Sequence, residues 1–206
     1  MRIAVIGTGN LGKALTRSLT KAGHEVTLTS AHPEHAAQVA EELGVNAVDS
    51  TADAVRQNEA VVLAVPFASA GKEVAAEIAS VADGKIVIDA TNPIGPDMKL
   101  VTDGSSAAES FQHWLPRAKV VKAFNTMFAS RQAEPAEGEV ELDGFVAGDD
   151  ADAKRQVMDV IGSLGLRPID AGELAFARIL EGMALLNIKL QIANGWNWRT
   201  AWKLVD

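Results

Sequence analysis

The sequence contains no cysteine and no tyrosine. Without cysteine, disulfides, thiolate metal sites and thiol nucleophiles are excluded. Without tyrosine, no reduction can rely on a phenolic proton donor. Histidine occurs only four times, and no third ligand stands near His32 and His35 to complete a metal site. Basic residues are the minority, 19 Lys and Arg against 27 Asp and Glu, for a net charge of −8. Such a field repels nucleic acid and anionic membranes. No apolar run approaches the roughly 18 residues that span a bilayer, and Met1 leads into a strand with no secretory core. The expectation is a cytoplasmic protein whose partners are small molecules, neither nucleic acid nor membrane.

What is present is a globular balance, 48 % hydrophobic and 22 % charged over 206 residues. That length fits one large domain, or one with a small appendage. Ile3–Ile6 is a β-branched run closed by glycine, which reads as a strand buried on both faces. Leu11, Ala14, Leu15, Leu19 and Ala22 follow at helical spacing, with Gly23 as terminator. Val26–Thr29 reads as a second strand and 33–43 as a helix with Pro33 at its first position. Strands at 60–65, 86–89 and 120–121 and a helix at 68–80 continue the alternation, which implies a doubly wound parallel sheet. The polar stretch 129–143 reads as an exposed loop, either a lid or a plain connection. A strand at 145–147, a helix to Leu164 and a strand at 166–170 come next. A long helix over 173–194 carries two apolar stripes and is expected to be largely buried, against the sheet or in a homodimer. These elements divide as residues 1–126, a Rossmann-type nucleotide-binding domain, and 127–206, a smaller C-terminal α/β part.

Gly7-Thr8-Gly9-Asn10-Leu11-Gly12 ends the first strand and opens the first helix. In that context the pattern is a dinucleotide fingerprint. Gly7 permits the tight turn, Gly9 lets a pyrophosphate approach, and Gly12 lets helix and strand pack closely. The helix start then offers N–H groups to the anion. At the end of the second strand an NAD enzyme carries an acid for the ribose. Here Ser30-Ala31-His32-Pro33-Glu34-His35 stands instead, with its first carboxylate already inside the next helix. Ser30, His32 and His35 can meet a 2′-phosphate, so NADP is favoured. Histidine changes charge near neutral pH, so NADPH affinity should fall as pH rises while NADH affinity barely moves. The competing reading of the two histidines is a solvated helix start.

Ala4-Val5-Ile6-Gly7-Thr8-Gly9-Asn10-Leu11-Gly12-Lys13, Val62-Leu63-Ala64-Val65-Pro66 and Leu164-Gly165-Leu166-Arg167-Pro168-Ile169-Asp170-Ala171-Gly172 resemble the F420-dependent NADP reductase family. The likeness continues through Ala177-Arg178-Ile179-Leu180-Glu181. It implies hydride transfer between NADPH and the deazaflavin coenzyme F420. It also implies that Thr8, Ser30 and the two residues after it grip the 2′-phosphate, and that Val65, Pro66 and Phe67 wall the adenosine and nicotinamide side. Asn92, Pro93 and the segment through Asn125, Thr126 and Met127 line the paired-ring pocket. The sequence departs from the pattern at Ala31 and His32, where arginines are usual, and at His35, where lysine is. Some members also carry His in place of Asn125 and Trp in place of Phe67. Similar domains in flavin-linked metalloreductases keep a flavin acceptor, FAD or FMN, open as the alternative. A non-catalytic NADP(H) sensor is the rival of another class.

Ring-to-ring hydride transfer needs positioning more than acid–base groups. Carbonyl reduction would need a proton donor, for which His113, Lys122 and a few carboxylates are the candidates. Lys122 reads equally as a ligand-facing lysine or a strand-end salt bridge, and His113 as a packed or surface residue. Trp196, Trp198 and Trp202 anchor the tail, close a dimer or edge the acceptor pocket. Trp198 and Trp202 would stack if that end were helical.

Overall fold

The computed structural model describes residues 1–135 and 140–205. Among these residues eight strands form one sheet in the order β3-β2-β1-β4-β5-β6-β7-β8. The strands are β1 (Arg2–Ile6), β2 (Glu25–Thr29), β3 (Asn46–Ala47), β4 (Ala60–Leu63), β5 (Ile86–Asp89), β6 (Lys119–Lys122), β7 (Asp143–Gly148) and β8 (Arg167–Gly172). All neighbours run parallel except β6 and β7, which are antiparallel. The sheet is continuous across residue 126, so the two halves of the chain share one hydrogen-bonded frame.

Helices cover both faces, as the unbroken β-branched strands predict. Ile3, Val5, Leu28, Val62, Ile88 and Val121 point to one side. There they meet α1 (Asn10–Lys21), α2 (Pro33–Leu43) and α7 (Ala151–Ser163). The alternate residues Ala4, Ile6, Val61, Leu63, Val87 and Val120 meet α3 (Thr51–Gln57), α4 (Lys72–Ile78) and α5 (Ala107–Trp114). A short α6 (Ala129–Gln132) follows β6, and α8 (Ala177–Asn194) closes the helical set. Pro33 opens α2, and Gly44 ends it in the left-handed conformation at φ 68°.

The structure corrects several expectations. The short pair β3 and α3 carries too little apolar periodicity to show in the sequence; Ser50 caps α3 by accepting from the Asp53 N–H at 3.2 Å. The helix expected over 68–80 starts as a π-helical turn, Phe67–Gly71, and is regular only from Lys72. Within the expected loop, α6 buries Gln132, whose side-chain amide donates to the Phe124 carbonyl at 2.8 Å. Residues 136–139 of that loop lie outside the described residues.

The last helix is not buried on both stripes. Leu180, Glu181, Ala184, Asn187 and Gln191 face inward, whereas Ile179 and Ile192 are each 60 % exposed. The sheet and α5 cover one stripe only, and that stripe holds polar groups with internal partners. After Asn194 the chain is not helical, so Trp198 and Trp202 do not stack. Trp202 packs against Phe145 and Leu180 instead. The tail lies along β7, where the buried Asp143 carboxylate accepts from Arg167 at 2.7 Å and from the Leu204 N–H at 2.6 Å. Burial raises that carboxyl, but the bonds from Arg167, Leu204 and Lys203 outweigh it and hold it below the usual range.

Candidate functional site

The glycine turn leaves β1 at the carboxyl edge of the sheet. Gly7 donates its N–H to the Thr29 carbonyl at 2.9 Å and has φ +122°. A Cβ on Gly7 would meet the Ala64 carbonyl oxygen at 2.3 Å, and one on Gly12 would meet the Gly7 oxygen at 1.9 Å. Both glycines are therefore required by backbone packing. Gly9 differs: a Cβ there would have no heavy atom within 4 Å, so its face is open. Gly9 also caps α1 without a side-chain hydrogen bond. The Lys13 backbone N–H donates to the Gly9 carbonyl at 2.9 Å, which leaves the N–H groups of the preceding turn without helical acceptors. By contrast α3, α5 and α7 are capped by Ser50, Ser106 and Asp150. An uncapped helix start beside an open glycine fits a pyrophosphate.

Thr8 and Asn10 flank the turn. Val65 packs beside it, its methyl 3.4 Å from where a Gly7 side chain would begin. Pro66 follows, and the Phe67 ring stacks on Trp114 at 5.8 Å and meets Phe111 edge-on at 5.7 Å. At the end of β2, Ser30 donates to the His32 carbonyl at 3.0 Å and accepts the His32 N–H at 3.2 Å. Its hydroxyl thus shapes the turn that presents His32 as the cap of α2. His32 and His35 are exposed, and no carboxylate precedes Glu34 on this edge.

Asn92, Asn125, Thr126 and Met127, all expected in the ring pocket, line one cavity of about 130 Å³ together with Leu11. Pro93 is buried beside Asn92, its carbonyl accepting from Val101 at 2.8 Å. Asn92 donates to the Asn125 carbonyl, and Asn125 donates back to the Asn92 side chain, each at 3.0 Å. Asn125 Oδ1 is buried with no partner among the described residues. An unsatisfied acceptor in a cavity one helix start from the glycine turn suits a carboxamide or ring N–H of a bound coenzyme. Phe124, immediately before Asn125, is held at φ 65°. Backbone strain of this kind persists where the surroundings impose it, often at binding sites. Ala184, Asn187 and Ile188 of α8 complete the wall. Sequence reasoning missed them, because nothing in a broad apolar helix marks the turn that will face a ligand.

Among the described residues, no titratable side chain lines this cavity. Lys122 does not face it. Fully buried, its ammonium donates to Asp89 at 2.8 Å, to Glu181 at 2.8 Å and to the Thr91 carbonyl at 2.6 Å. The same Glu181 oxygen accepts the Ala107 N–H at 2.9 Å. Burial pushes the Glu181 carboxyl above the usual range. The salt-bridge alternative for Lys122 is thus the one realised, and His113 lies exposed on α5.

The family model described as NADP oxidoreductase, coenzyme F420-dependent, matches residues 2–93. The F420-dependent NADP reductase of Methanothermobacter marburgensis is 32 % identical, over 94 % of this chain and 94 % of its own. The chain belongs to the F420-dependent NADP reductase family. Within it, a candidate reductase of the same name from Arthrobacter sp. FB24, solved by crystallography, superimposes with a TM-score of 0.88. That structure is 32 % identical and covers all of both chains. Metalloreductase STEAP3 of Rattus norvegicus is 30 % identical over 89 % of this chain, which spans only 36 % of that longer protein. The family therefore accounts for both halves of the sheet, not for the glycine turn alone.

Proposed function

We propose that this reductase-family protein transfers a hydride between NADP(H) and coenzyme F420. The observation that carries the reading is a small uncharged cavity, edged by Asn92 and Asn125, that begins at Leu11 of the glycine-turn helix. When bound, NADPH supplies the hydride and the deazaflavin the accepting carbon. The chain's own part is placement. Gly9 and the free N–H groups of α1 seat the pyrophosphate, and Thr8, Ser30, His32 and His35 attend the 2′-phosphate. Val65, Pro66 and Phe67 wall the adenosine and nicotinamide side, while Asn92, Pro93, Asn125, Thr126 and Met127 orient the rings. A pocket without an ionisable group neither gives nor takes a proton, which suits transfer between two rings held about 3–3.5 Å apart.

The test is NADPH oxidation at catalytic protein concentration with F420, FAD or FMN offered separately. Turnover with F420 above that with either flavin is expected. Preference for a flavin would move the acceptor, and NADPH binding without any turnover would leave a sensor. Replacing both His32 and His35 by Ala should raise the KM for NADPH about tenfold or more, since hydrogen bonds to charged groups contribute about 1.5–3 kcal/mol each. The KM for NADH should stay within twofold; equal changes would remove the histidines from the site. The homodimer reading draws support from the exposed row Ile179, Leu186 and Leu190. Sedimentation at twice the monomer mass is the expected result.

A further inference from the structure

A second cavity of about 500 Å³ runs along α1, between Asn10, Lys13 and Arg17 on one side and Phe128, Ala129 and Trp198 on the other. It shares Phe128 and Ala129 with the ring pocket, so the two adjoin. The ring pocket, at about 130 Å³, is smaller than the roughly 300–1,000 Å³ usual for a coenzyme site. Whatever places a ring there must continue outward, and this groove is the adjoining space.

The groove's chemistry is specific. Lys13 and Arg17 stand four residues apart on α1 and so share a face, where like charges repel. Neither meets a carboxylate among the described residues, although the chain has an excess of acids. An unneutralised cationic pair on an acidic protein calls for an anion. The opposite wall is built, not incidental. Phe128 and Trp198 meet edge-to-face with centroids 5.3 Å apart, and Trp198 is held at φ 60°. That strained backbone is fixed from within. The buried Gln191 accepts the Trp198 N–H at 2.8 Å and donates to Thr200 at 2.6 Å, and Thr200 donates to Asn187 of the ring pocket at 2.6 Å. One hydrogen-bonded chain thus joins the ring pocket to the groove wall.

We infer that this groove is the subsite for the acidic side chain of the acceptor coenzyme, with Lys13 and Arg17 binding its phosphate or carboxylate groups. The inference rests on the functional reading above and extends it from the ring to the substituent. It predicts that the protein distinguishes acceptors by the charge of a group remote from the reacting carbon.

The test compares wild type with the double variant K13Q/R17Q, using three substrates: F420, the same deazaflavin ring ending in an uncharged ribityl chain, and NADPH. The variant should raise the KM for F420 tenfold or more with kcat within twofold. The KM values for NADPH and for the uncharged deazaflavin should stay within twofold. In wild type, added salt should raise the KM for F420 toward the variant's value, a measurement that needs no mutation. An unchanged KM for F420 in the variant, or an equal rise for NADPH, overturns the subsite while leaving the functional reading intact. Wild-type inactivity with both deazaflavins overturns the functional reading and the subsite together.

Discussion

Lys122→Met lowers the free energy of unfolding by about 3–5 kcal/mol, the cost of leaving buried carboxylates without their counter-ion. For a chain of this size that is a fall in Tm of about 10 °C. The ammonium is completely buried, and both Asp89 and Glu181 bond to it at 2.8 Å. Methionine fills much of the volume but provides no charge or donor. Glu181→Gln should cost far less, because a neutral side chain there leaves a balanced Lys122–Asp89 pair. The sign of the pH dependence separates the two roles. Burial raises the Glu181 carboxyl, so the folded state holds a proton that the unfolded chain releases. Between the ordinary carboxylate range and the raised value, this group therefore makes stability fall as pH rises. Glu181→Gln should remove that slope in urea titrations across the acid range. A Lys122→Met protein as stable as wild type would mean that the ion cluster does not hold β5, β6 and α8 together.

Gly9→Ala and Gly12→Ala should part company sharply, although both alter one fingerprint. An alanine at Gly12 would press its Cβ to 1.9 Å from the Gly7 carbonyl. Helix α1 would then have to leave the sheet, with a loss of at least about 2–3 kcal/mol, in the range of severe overpacking. Gly9 has an ordinary φ of −71° and open space where the methyl would sit. Gly9→Ala should therefore melt within about 1 °C of wild type while its Kd for NADPH rises tenfold or more, since the methyl occupies the approach of the pyrophosphate. Calorimetric titration beside thermal melts reads both. Unchanged NADPH affinity in a folded Gly9→Ala protein would remove the turn from the binding site.

The front of the molecule was legible because glycine, proline and β-branched residues act locally. Gly7, Gly12, Pro33 and the run Ile3–Ile6 constrain their own backbone, and the structure places them as their chemistry requires. Asn92 and Asn125–Met127, which family likeness assigns to a ring pocket, converge in one cavity. What lay beyond reading depends on long-range packing. Lys122 resembles any strand-end lysine until Asp89 and Glu181, 33 and 59 residues away, close on it. Helix α8 shows two apolar stripes, yet the fold covers the one carrying Glu181, Asn187 and Gln191. Hydrophobicity alone would have chosen the other. The left-handed Phe124 and Trp198 have no sequence signal, since neither is a residue that favours that conformation.

Helix α8 walls the smaller cavity and Trp198 of the tail behind it walls the groove, whereas the glycine turn joins β1 to α1 at the other end of the fold's connectivity. A polypeptide cut short before Ala177 would lack the surface against which a second ring could rest, however well its opening strands assembled.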